Sequence, residues 1–413
     1  MVVTFGCRLN AFESEVMRQN ASGSGTGPKT IIVNTCAVTA EAERQGRQAI
    51  RKLRRQHPGA RIVVTGCAAQ IHPDRFESMP EVTQVLGNME KMDPASFQNP
   101  VDDRVVLSDI MQVRETAGHL ISGFEGRTRA FIEVQQGCDH RCTFCIIPFG
   151  RGPSRSVSPE RVVEQVRLLV DQGYAELVLT GVDVTSYGGD LSDKPSLGAL
   201  VLRILKEVPA LKRLRLSSLD PVELDDHLLR AIAQEDRLMP HLHLSVQAGD
   251  DMILKRMKRR HLRDDVIEVA QKVRDLRPGL ALGADIIAGF PTETDEMFQR
   301  SLDLVDEAQI THLHVFPYSS RPGTPAARMK RLEGGVVDER AARLRAKGQA
   351  AMQALLSSWV GQSATVLVEK DGQGFSDHYL PMRLTAGAEA GQIVTAKVGA
   401  VEDGVLIAEG GVR

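Results

Sequence analysis

The sequence has few aromatic residues, no long hydrophobic run and no excess of charge of one sign. Only 4% of its 413 residues are aromatic, with a single tryptophan, so an extensive aromatic-lined binding surface is not expected. No apolar stretch approaches the roughly 20 residues that a membrane span needs. The first residues lack the basic, apolar and cleavage regions of a secretory signal. We therefore expect a cytoplasmic protein with no membrane partner.

The charge balance argues against a protein that is basic over its whole surface. Lys and Arg together number 51 and Asp and Glu 53, which gives a formal net charge of −2. A nucleic-acid partner would therefore have to bind local basic patches. Hydrophobic residues make up 42% of the chain, enough to bury a large core without disulfides. The length suggests about two to four domains.

Six cysteines fall into two groups of three. The first group is Cys7, Cys36 and Cys67, and the second is Cys138, Cys142 and Cys145. Members of the first group stand about 30 residues apart, whereas the second group forms a compact C-x3-C-x2-C motif. Disulfides are rare in long intracellular chains, because thiols stay reduced there. The grouping therefore favours metal ligation over three disulfides.

Short apolar runs alternate with helical stretches in the first hundred residues. The runs are Val2–Phe5, Ile31–Asn34 and Ile62–Thr65. Buried strands that alternate with helices predict an open parallel α/β sheet. Each early cysteine follows one of these runs closely, and ligands of such a sheet bind beyond the carboxyl ends of its strands. We therefore expect the first three cysteines to converge at one sheet edge.

The rest of the chain predicts two further domains. Six strand candidates follow a polar stretch: Ala130–Gln135, Glu176–Thr180, Arg213–Ser218, His241–Val246, Leu282–Ala288 and His312–Phe316. Six βα units predict an open, partial (β/α)6 barrel. Short alternating strands with Gly-rich turns after residue 358 predict a small all-β barrel. We expect domains at residues 1–115, 128–356 and 357–413.

The second cysteine group lies directly after the first strand of the predicted barrel, where barrel enzymes keep their active sites. Three thiolates from one loop can hold three irons of a 4Fe–4S cluster, which normally has four ligands. One iron would then be open to a ligand that is not protein. A zinc site with His140 as the fourth ligand is the alternative, although the spacing differs from the usual zinc patterns.

The C-x3-C-x2-C loop at the head of a partial barrel resembles the radical S-adenosylmethionine (SAM) superfamily. The resemblance extends to segments at later strand ends, namely Leu179–Val182, Leu216–Ser218, Leu244–Gln247 and Gly283–Pro291. It implies that the open iron chelates SAM and that the reduced cluster cleaves SAM to a 5′-deoxyadenosyl radical. The residues that it implies for SAM binding are Phe144, Thr180, Gly181, Ser218, Gln247 and Asp285. We expect no catalytic residues beyond the cluster ligands.

Three N-terminal segments resemble one particular family within this superfamily. Phe5–Asn10, Asn34–Thr39 and Thr65–Cys67 are similar to segments of the methylthiotransferases. That family carries a second 4Fe–4S cluster on three N-terminal cysteines and ends in a β domain called TRAM, which binds the substrate. The resemblance implies that the first cysteine group holds this cluster and the sulfur to be transferred. It also implies two SAM molecules, one that methylates the sulfur and one that supplies the radical.

Three substrate classes are known in this family. Asn34–Thr39 is similar to the group that acts on threonylcarbamoyladenosine in tRNA. The isopentenyladenosine group usually has a basic residue in place of Thr39, and the group that modifies an aspartate of a small-subunit ribosomal protein usually has Gly in place of Ala37. The resemblance thus implies methylthiolation of carbon 2 of N6-threonylcarbamoyladenosine next to the anticodon. A non-catalytic RNA-binding iron–sulfur protein is a further alternative.

A tRNA substrate requires phosphate contacts from Lys and Arg. Candidates lie in two basic runs, at residues 44–55 and 255–260. In the basic loop after the second cysteine group, we expect Arg151 and Arg155 to bind the substrate. Phe375 and Tyr379 in the last domain either stack a base or belong to the core. The family resemblance also implies an electron donor of the reduced flavodoxin or ferredoxin type.

Overall fold

The N-terminal unit is a five-stranded, all-parallel sheet with helices between its strands. The structure is a computed structural model that describes residues 1–21, 29–98, 103–116, 118–124, 126–385 and 387–412. The strands, in sheet order, are β1 (Val2–Thr4), β2 (Thr30–Thr35), β3 (Arg61–Gly66), β4 (Gln84–Leu86) and β5 (Val105–Val106). The helices are α1 (Arg8–Ala21), α2 (Ala40–Gln56), α3 (Cys67–Ile71), α4 (Pro73–Glu77) and α5 (Ala95–Gln98). The predicted parallel sheet is confirmed, with two short strands added.

Local sequence explains why α2 begins immediately after the second strand. The Thr39 side chain caps the helix by accepting a hydrogen bond from the backbone N–H of Ala42 at 3.1 Å. Acidic residues occupy the first turn and basic residues the last turn, which complements the helix dipole. Ile50 and Leu53 face the sheet and are buried in its core. The short connection between β2 and α2 carries Cys36, and the pairing of Thr35 with Gly66 places the end of β2 next to the end of β3.

The central unit is a partial barrel. Its strands are β6 (Arg129–Glu133), β7 (Gln135–Gln136), β8 (Arg155–Ser156), β9 (Glu176–Thr180), β10 (Arg213–Leu216), β11 (His241–Gln247), β12 (Ala281–Ala288) and β13 (Ile310–Pro317). Its helices are α6 (Ile147–Arg151), α7 (Pro159–Asp171), α8 (Leu197–Glu207), α9 (Asp226–Gln234), α10 (Asp251–Met257), α11 (Arg263–Leu276), α12 (Asp295–Glu307) and α13 (Gly334–Ser358). Six parallel strands follow the order β6-β9-β10 and β11-β12-β13. The predicted partial (β/α)6 barrel is confirmed.

The barrel strands alternate apolar and polar side chains, and this alternation gives the barrel a polar lumen. On β11, Leu242, Leu244 and Val246 are buried in the main hydrophobic core. The side chains that alternate with them, including His241 and His243, therefore face the lumen. Branched apolar residues dominate the interior of a closed eight-stranded barrel. A lumen lined by histidine and charged residues is therefore a departure that calls for a functional explanation.

The C-terminal unit is a closed five-stranded barrel in the order β14-β15-β16-β18-β17. Its strands are β14 (Ser363–Lys370), β15 (Gln373–Ser376), β16 (Pro381–Leu384), β17 (Ile393–Glu402) and β18 (Val405–Val412). The predicted small β barrel is thus confirmed. Among the residues that the structure describes, no helix has the length and apolar character needed to cross a membrane.

Tyr379 of the C-terminal unit closes the amino-terminal mouth of the central barrel. Its ring stacks on His241, with 5.2 Å between ring centroids, and on Phe375 at 4.9 Å. Its hydroxyl accepts hydrogen bonds from Arg129 Nη1 at 2.8 Å and from Arg8 Nη2 at 3.2 Å. Both aromatic rings are thus engaged within the protein. Of the two alternatives for Phe375 and Tyr379, the structure favours a core role over base stacking.

Candidate functional site

Cys7, Cys36 and Cys67 come together at the carboxyl edge of the N-terminal sheet. Thr4, Asn34 and Thr65 are aligned across β1, β2 and β3, so the three strands end level with one another. A Cβ atom on Gly6 would lie 2.8 Å from the Sγ of Cys36, which shows how closely the cysteine-bearing turns pack. None of the three thiols is in a disulfide. The arrangement leaves three free thiols able to ligate one group.

Gly66 makes the sharp turn that places Cys67 at the start of α3. Its φ of +95° lies in the left-handed region, which glycine adopts without steric cost. A Cβ atom at this position would lie 2.3 Å from the carbonyl oxygen of Thr35. No side chain fits there, so this glycine is a requirement of the turn.

Arg151, from the barrel, reaches across to the first cysteine group. It is 2% exposed, and its Nε donates to the Sγ of Cys67 at 3.0 Å. Nη1 donates to Glu13 Oε1 and to Gln136 Oε1 at 3.1 Å, while Nη2 donates to Asn10 Oδ1 at 2.5 Å and to Glu13 Oε2 at 3.0 Å. A guanidinium has five N–H groups, and here all five have acceptors.

Arg151, Lys91 and Glu13 form a buried group whose three charges sum to one positive charge. The Nζ of Lys91 lies 2.6 Å from Glu13 Oε2, and both side chains are buried. Burial alone would raise the pKa of Glu13, but Arg151 and Lys91 hold it at about 2. Two cations therefore surround one carboxylate. An anion at Cys67 would balance this excess, because an uncompensated buried charge is costly.

The second cysteine group lies in the loop between β7 and α6, and its backbone is tightly fixed. Gly137 precedes the loop with a φ of +71°, and a Cβ atom there would lie 1.8 Å from the carbonyl oxygen of Pro153. The Thr143 N–H donates to the carbonyl of Met257 at the end of α10, at 3.0 Å. Arg259 Nη1 donates to the Sγ of Cys142 at 3.6 Å. A cation thus faces this cysteine group as well.

The thiols need a cation before they can act as thiolate ligands. Burial raises the pKa of Cys36 to about 12 and that of Cys145 to about 11. At neutral pH these side chains stay protonated unless a metal replaces the proton. Each group of three free thiols therefore suits an iron cluster that leaves one position without a protein ligand.

His140 does not complete a zinc site with the three cysteines of its loop. Its Nε2 lies 3.0 Å from Asp183 Oδ2, and that carboxylate oxygen is also 3.7 Å from the Sγ of Cys138. The hydrogen bond to Asp183 is the main cause of the raised pKa of His140. His140 therefore groups with one cysteine and one carboxylate. This geometry argues against the alternative of a zinc ion on three cysteines and His140.

Helix α6 connects the two cysteine groups. It begins two residues after Cys145 and carries Gly150, where a Cβ atom would lie 3.3 Å from the Cβ of Cys67. The side-chain amide of Asn88, from the N-terminal unit, donates to the carbonyl of Gly150. Cys67 is also one of the groups that raise the pKa of Cys145, after burial and Cys142. The two groups thus meet at the interface between the N-terminal unit and the barrel.

The residues predicted to bind SAM lie along the carboxyl ends of the barrel strands, with one exception. Those at or just beyond a strand end are Thr180, Gly181, Ser218 and Gln247, while Phe144 lies in the cysteine loop. The ring of Phe144 packs on that of Phe290, with centroids 6.5 Å apart. Asp285 is the exception, since it lies three residues before the end of β12. Its contacts are with His243 and His314.

All five N–H groups of Arg151 donate within the protein, and its predicted role in substrate binding stays a prediction. Arg155 is also buried, and its Nη1 donates to the carbonyls of Arg151 at 3.0 Å and Pro153 at 2.8 Å. Arg155 lines a cavity of about 320 Å³ between the N-terminal unit and the barrel, together with Glu133. A role of Arg155 in substrate binding stays a prediction.

Comparisons with known proteins agree with this geometry. Residues 132–305 match the family described as the radical SAM superfamily, and residues 1–87 match the uncharacterized protein family UPF0004. Among solved structures, the radical S-adenosylmethionine methyltransferase TsrM from Kitasatospora setae aligns with a TM-score of 0.55 and 17% identity. The alignment covers 77% of this chain and 69% of that one. At this identity the likeness shows the fold alone.

Relatives that match nearly the whole chain identify the family more specifically than the fold does. The threonylcarbamoyladenosine tRNA methylthiotransferase MtaB of Rickettsia prowazekii is 50% identical over 98% of this chain and 96% of its own length. MtaB of Bacillus subtilis is 33% identical over 96% and 92%. A tRNA-2-methylthio-N(6)-dimethylallyladenosine synthase of Staphylococcus aureus is 32% identical over 96% and 82%. The chain therefore belongs to the family of threonylcarbamoyladenosine tRNA methylthiotransferases within the radical SAM superfamily.

Proposed function

We propose that this enzyme adds a methylthio group to carbon 2 of N6-threonylcarbamoyladenosine next to the anticodon of tRNA. The observation that carries the proposal is the pair of free cysteine groups that meet where the N-terminal unit joins the barrel. Metal clusters held by these two cysteine groups would lie close enough to serve one reaction. The 50% identity to a relative named for this activity supports the choice of substrate.

Two 4Fe–4S clusters fit the two cysteine groups. We assign one to Cys7, Cys36 and Cys67 and the other, with SAM, to Cys138, Cys142 and Cys145. When bound, the two clusters and two SAM molecules supply the radical that removes hydrogen from carbon 2 and the methylthio group that replaces it. The contribution of the protein is to hold these groups apart and correctly oriented.

Arg151 is a positioning residue in this proposal. Its hydrogen bond to the Cys67 Sγ fixes the orientation of that thiolate, and the positive excess of Arg151 and Lys91 over Glu13 balances its charge. Since α6 also follows the second cysteine group directly, Arg151 fixes the distance between the two centres. Arg259 has the corresponding position at Cys142, and its Nη2 donates to Asp220 Oδ2 at 2.9 Å, which orients the guanidinium.

We assign SAM binding to the strand-end residues Phe144, Thr180, Gly181, Ser218 and Gln247. Their support is their position beside the second cysteine group at the carboxyl ends of the strands, where ligands of α/β barrels bind.

The remaining partners follow from the chemistry. The tRNA substrate would contact the exposed basic side chains of α2, among them Arg51, Lys52 and Arg55. Others of the basic residues are engaged within the protein, such as Arg54, which donates to the carbonyls of Pro58, Ala60 and Glu81. Cluster reduction requires an electron donor, which we propose to be a reduced flavodoxin or ferredoxin in the cytoplasm.

We propose domain boundaries at residues 1–115, 128–356 and 357–413. They are supported by the lack of helix or strand among the described residues between Val113 and Thr128. The long helix α13 continues to Ser358, two residues past the second boundary.

Nucleoside analysis of tRNA tests the substrate. We expect a strain that lacks this gene, and has no related enzyme, to accumulate threonylcarbamoyladenosine without the methylthio group. Persistence of the methylthio form would refute the proposal. Loss of the methylthio group from isopentenyladenosine instead would favour the dimethylallyladenosine activity named for the 32%-identical relative. Release of 5′-deoxyadenosine from SAM by reduced protein separates an enzyme from a non-catalytic iron–sulfur protein.

A further inference from the structure

The barrel lumen holds a polar cluster outside the two cysteine groups. His243 Nε2 lies 2.9 Å from Asp285 Oδ1, and His314 Nδ1 lies 3.2 Å from the same oxygen. These residues come from the three adjacent strands β11, β12 and β13. Both imidazoles contact Oδ1, and among the described residues none donates a hydrogen bond to Oδ2. Asp285 therefore retains an acceptor for a ligand.

The lumen around Asp285 is open on one side and closed on the other. Along β13 the lumen-facing residues change from His312, which is buried, to His314, whose side chain is 62% exposed, and Phe316, which is also exposed. Tyr379 closes the opposite end by stacking on His241. The lumen is thus a cup with a polar wall that opens towards the strand ends.

One glycine makes room for this cluster. Gly283 lies beside His243, and a Cβ atom there would lie 2.3 Å from the Nδ1 of His243 and 3.1 Å from the carbonyl oxygen of His312. Any other residue at position 283 would push the His243 ring away from Asp285. The local backbone is therefore suited to present these polar groups.

Arg8 supplies a cation to the same lumen. It follows Cys7 directly, and its Nη2 donates to the Tyr379 hydroxyl at 3.2 Å. Arg8 makes no other hydrogen bond to the described residues, so four of its five N–H groups remain for a ligand. The guanidinium also lies 5.8 Å from the centre of the Tyr379 ring. It is half-buried, where a charge-assisted contact is stronger than at the surface.

We propose that this lumen recognises the threonylcarbamoyl group, with Arg8 binding its carboxylate and Asp285 accepting from its hydroxyl or carbamoyl N–H. The inference rests on the proposed function, and it assigns Asp285 to the substrate instead of SAM. The chemistry is complementary: the substituent carries one anion and several donors, and the lumen offers a cation, Arg8, with N–H groups left to donate, and a carboxylate oxygen, Asp285 Oδ2, left to accept. An isopentenyl group has neither an anion nor a donor, so it would leave these groups unpaired at a cost.

Binding of synthetic anticodon stem–loops to the reconstituted enzyme tests this proposal. The stem–loops carry either threonylcarbamoyladenosine, its threonyl methyl ester or unmodified adenosine. We expect the wild type to bind the first about 10- to 100-fold more tightly than the other two. Arg8→Gln should abolish the difference between acid and ester, whereas Arg8→Lys should keep part of it. Asp285→Asn should weaken binding of both the acid and the ester, but not of the unmodified stem–loop.

Controls separate this inference from the proposed function. Arg167→Gln, on the outer helix α7, should leave the preference unchanged, and iron content shows whether each variant keeps its clusters. An equal affinity of the wild type for acid and ester would overturn the carboxylate contact without any substitution. An Asp285→Asn variant that binds SAM more weakly but keeps the stem–loop preference would show that Asp285 binds SAM and not the substrate. If the wild type methylthiolates only isopentenyladenosine, the proposed function itself fails.

Discussion

The chain assembles its two cysteine groups in opposite ways. Cys138, Cys142 and Cys145 share one loop, so the order of that loop brings them together. Cys7, Cys36 and Cys67 come from three strand ends, so they meet only after β1, β2 and β3 have paired in register. The first arrangement depends on local backbone geometry, and the second depends on the tertiary fold. Damage to the N-terminal sheet should therefore affect one metal centre and spare the other.

Substitution of a single cysteine should have the largest effect and should distinguish the functions of the two cysteine groups most clearly. The wild type should hold about eight irons after anaerobic reconstitution, because each cluster contains four. Cys36→Ala and Cys142→Ala should each lose about four, and both should abolish methylthiolation. Only Cys142→Ala should also abolish cleavage of SAM to 5′-deoxyadenosine. Iron and sulfide quantitation with product analysis measures this, and an iron content unaffected by Cys36→Ala would contradict the assignment of two clusters.

Glycine substitutions should disturb each cysteine group separately without replacing a cysteine. A Cβ atom at Gly66 would meet the Thr35 carbonyl, and one at Gly137 would meet the Pro153 carbonyl. Each change to Ala should destabilise its own turn by about 2–5 kcal/mol. We expect Gly66→Ala to lose iron from the first group and Gly137→Ala from the second, as measured by iron content and SAM cleavage. Gly59→Ala is the control, since no atom lies within 4 Å of its Cβ position.

Arg151→Gln should change the redox properties of the first centre alone. The substitution removes a positive charge and an N–H···S hydrogen bond at Cys67, both of which stabilise the reduced, more negative cluster. The reduction potential of that cluster should therefore fall, and the second should stay within error of the wild type. Redox titration followed by electron paramagnetic resonance measures both potentials. An equal shift at both clusters would show that Arg151 acts through the fold as a whole.

The stability of the folded protein should depend on pH through Glu133, which lines the cavity between the N-terminal unit and the barrel. Burial, with a smaller effect of Glu13, raises the pKa of Glu133 to about 7. The folded protein therefore keeps this proton where the unfolded chain has lost it, so stability should fall as pH rises from about 4.5 to 7. The loss amounts to at most about 3 kcal/mol. Urea unfolding at pH 5 and pH 8 should show a smaller difference for Glu133→Gln than for the wild type.

The strand-end position of the cysteines could be read from the sequence because it depends on local patterns. Each early cysteine follows a short apolar run, and parallel strands end at one sheet edge. The short strands β4 and β5, of three and two residues, gave no such pattern. Their place in the sheet comes from pairing with a neighbouring strand, which a sequence pattern does not record.

The roles of the buried charged residues could not be predicted, because their partners are distant in sequence. Glu13 and Arg151 are 138 residues apart, and neither stands in a pattern that marks it as buried. Lys91 and Asn10 complete the same network from other elements. The lumen histidines did leave a signal, since His241 with His243 and His312 with His314 recur at the period of a strand. That period places the two rings of each pair on one face of their strand, although the sequence alone does not say which face.

The closure of the amino-terminal mouth of the central barrel has a consequence for the order in which molecules leave the enzyme. Tyr379 and the side chains stacked around it block the amino-terminal mouth, so everything that enters the lumen has to leave by the route it took. A nucleotide seated deep in such a dead end would sit beneath the molecules bound nearer the rim. Departure of the modified tRNA would then have to wait for, or accompany, the exchange of whatever lies above it.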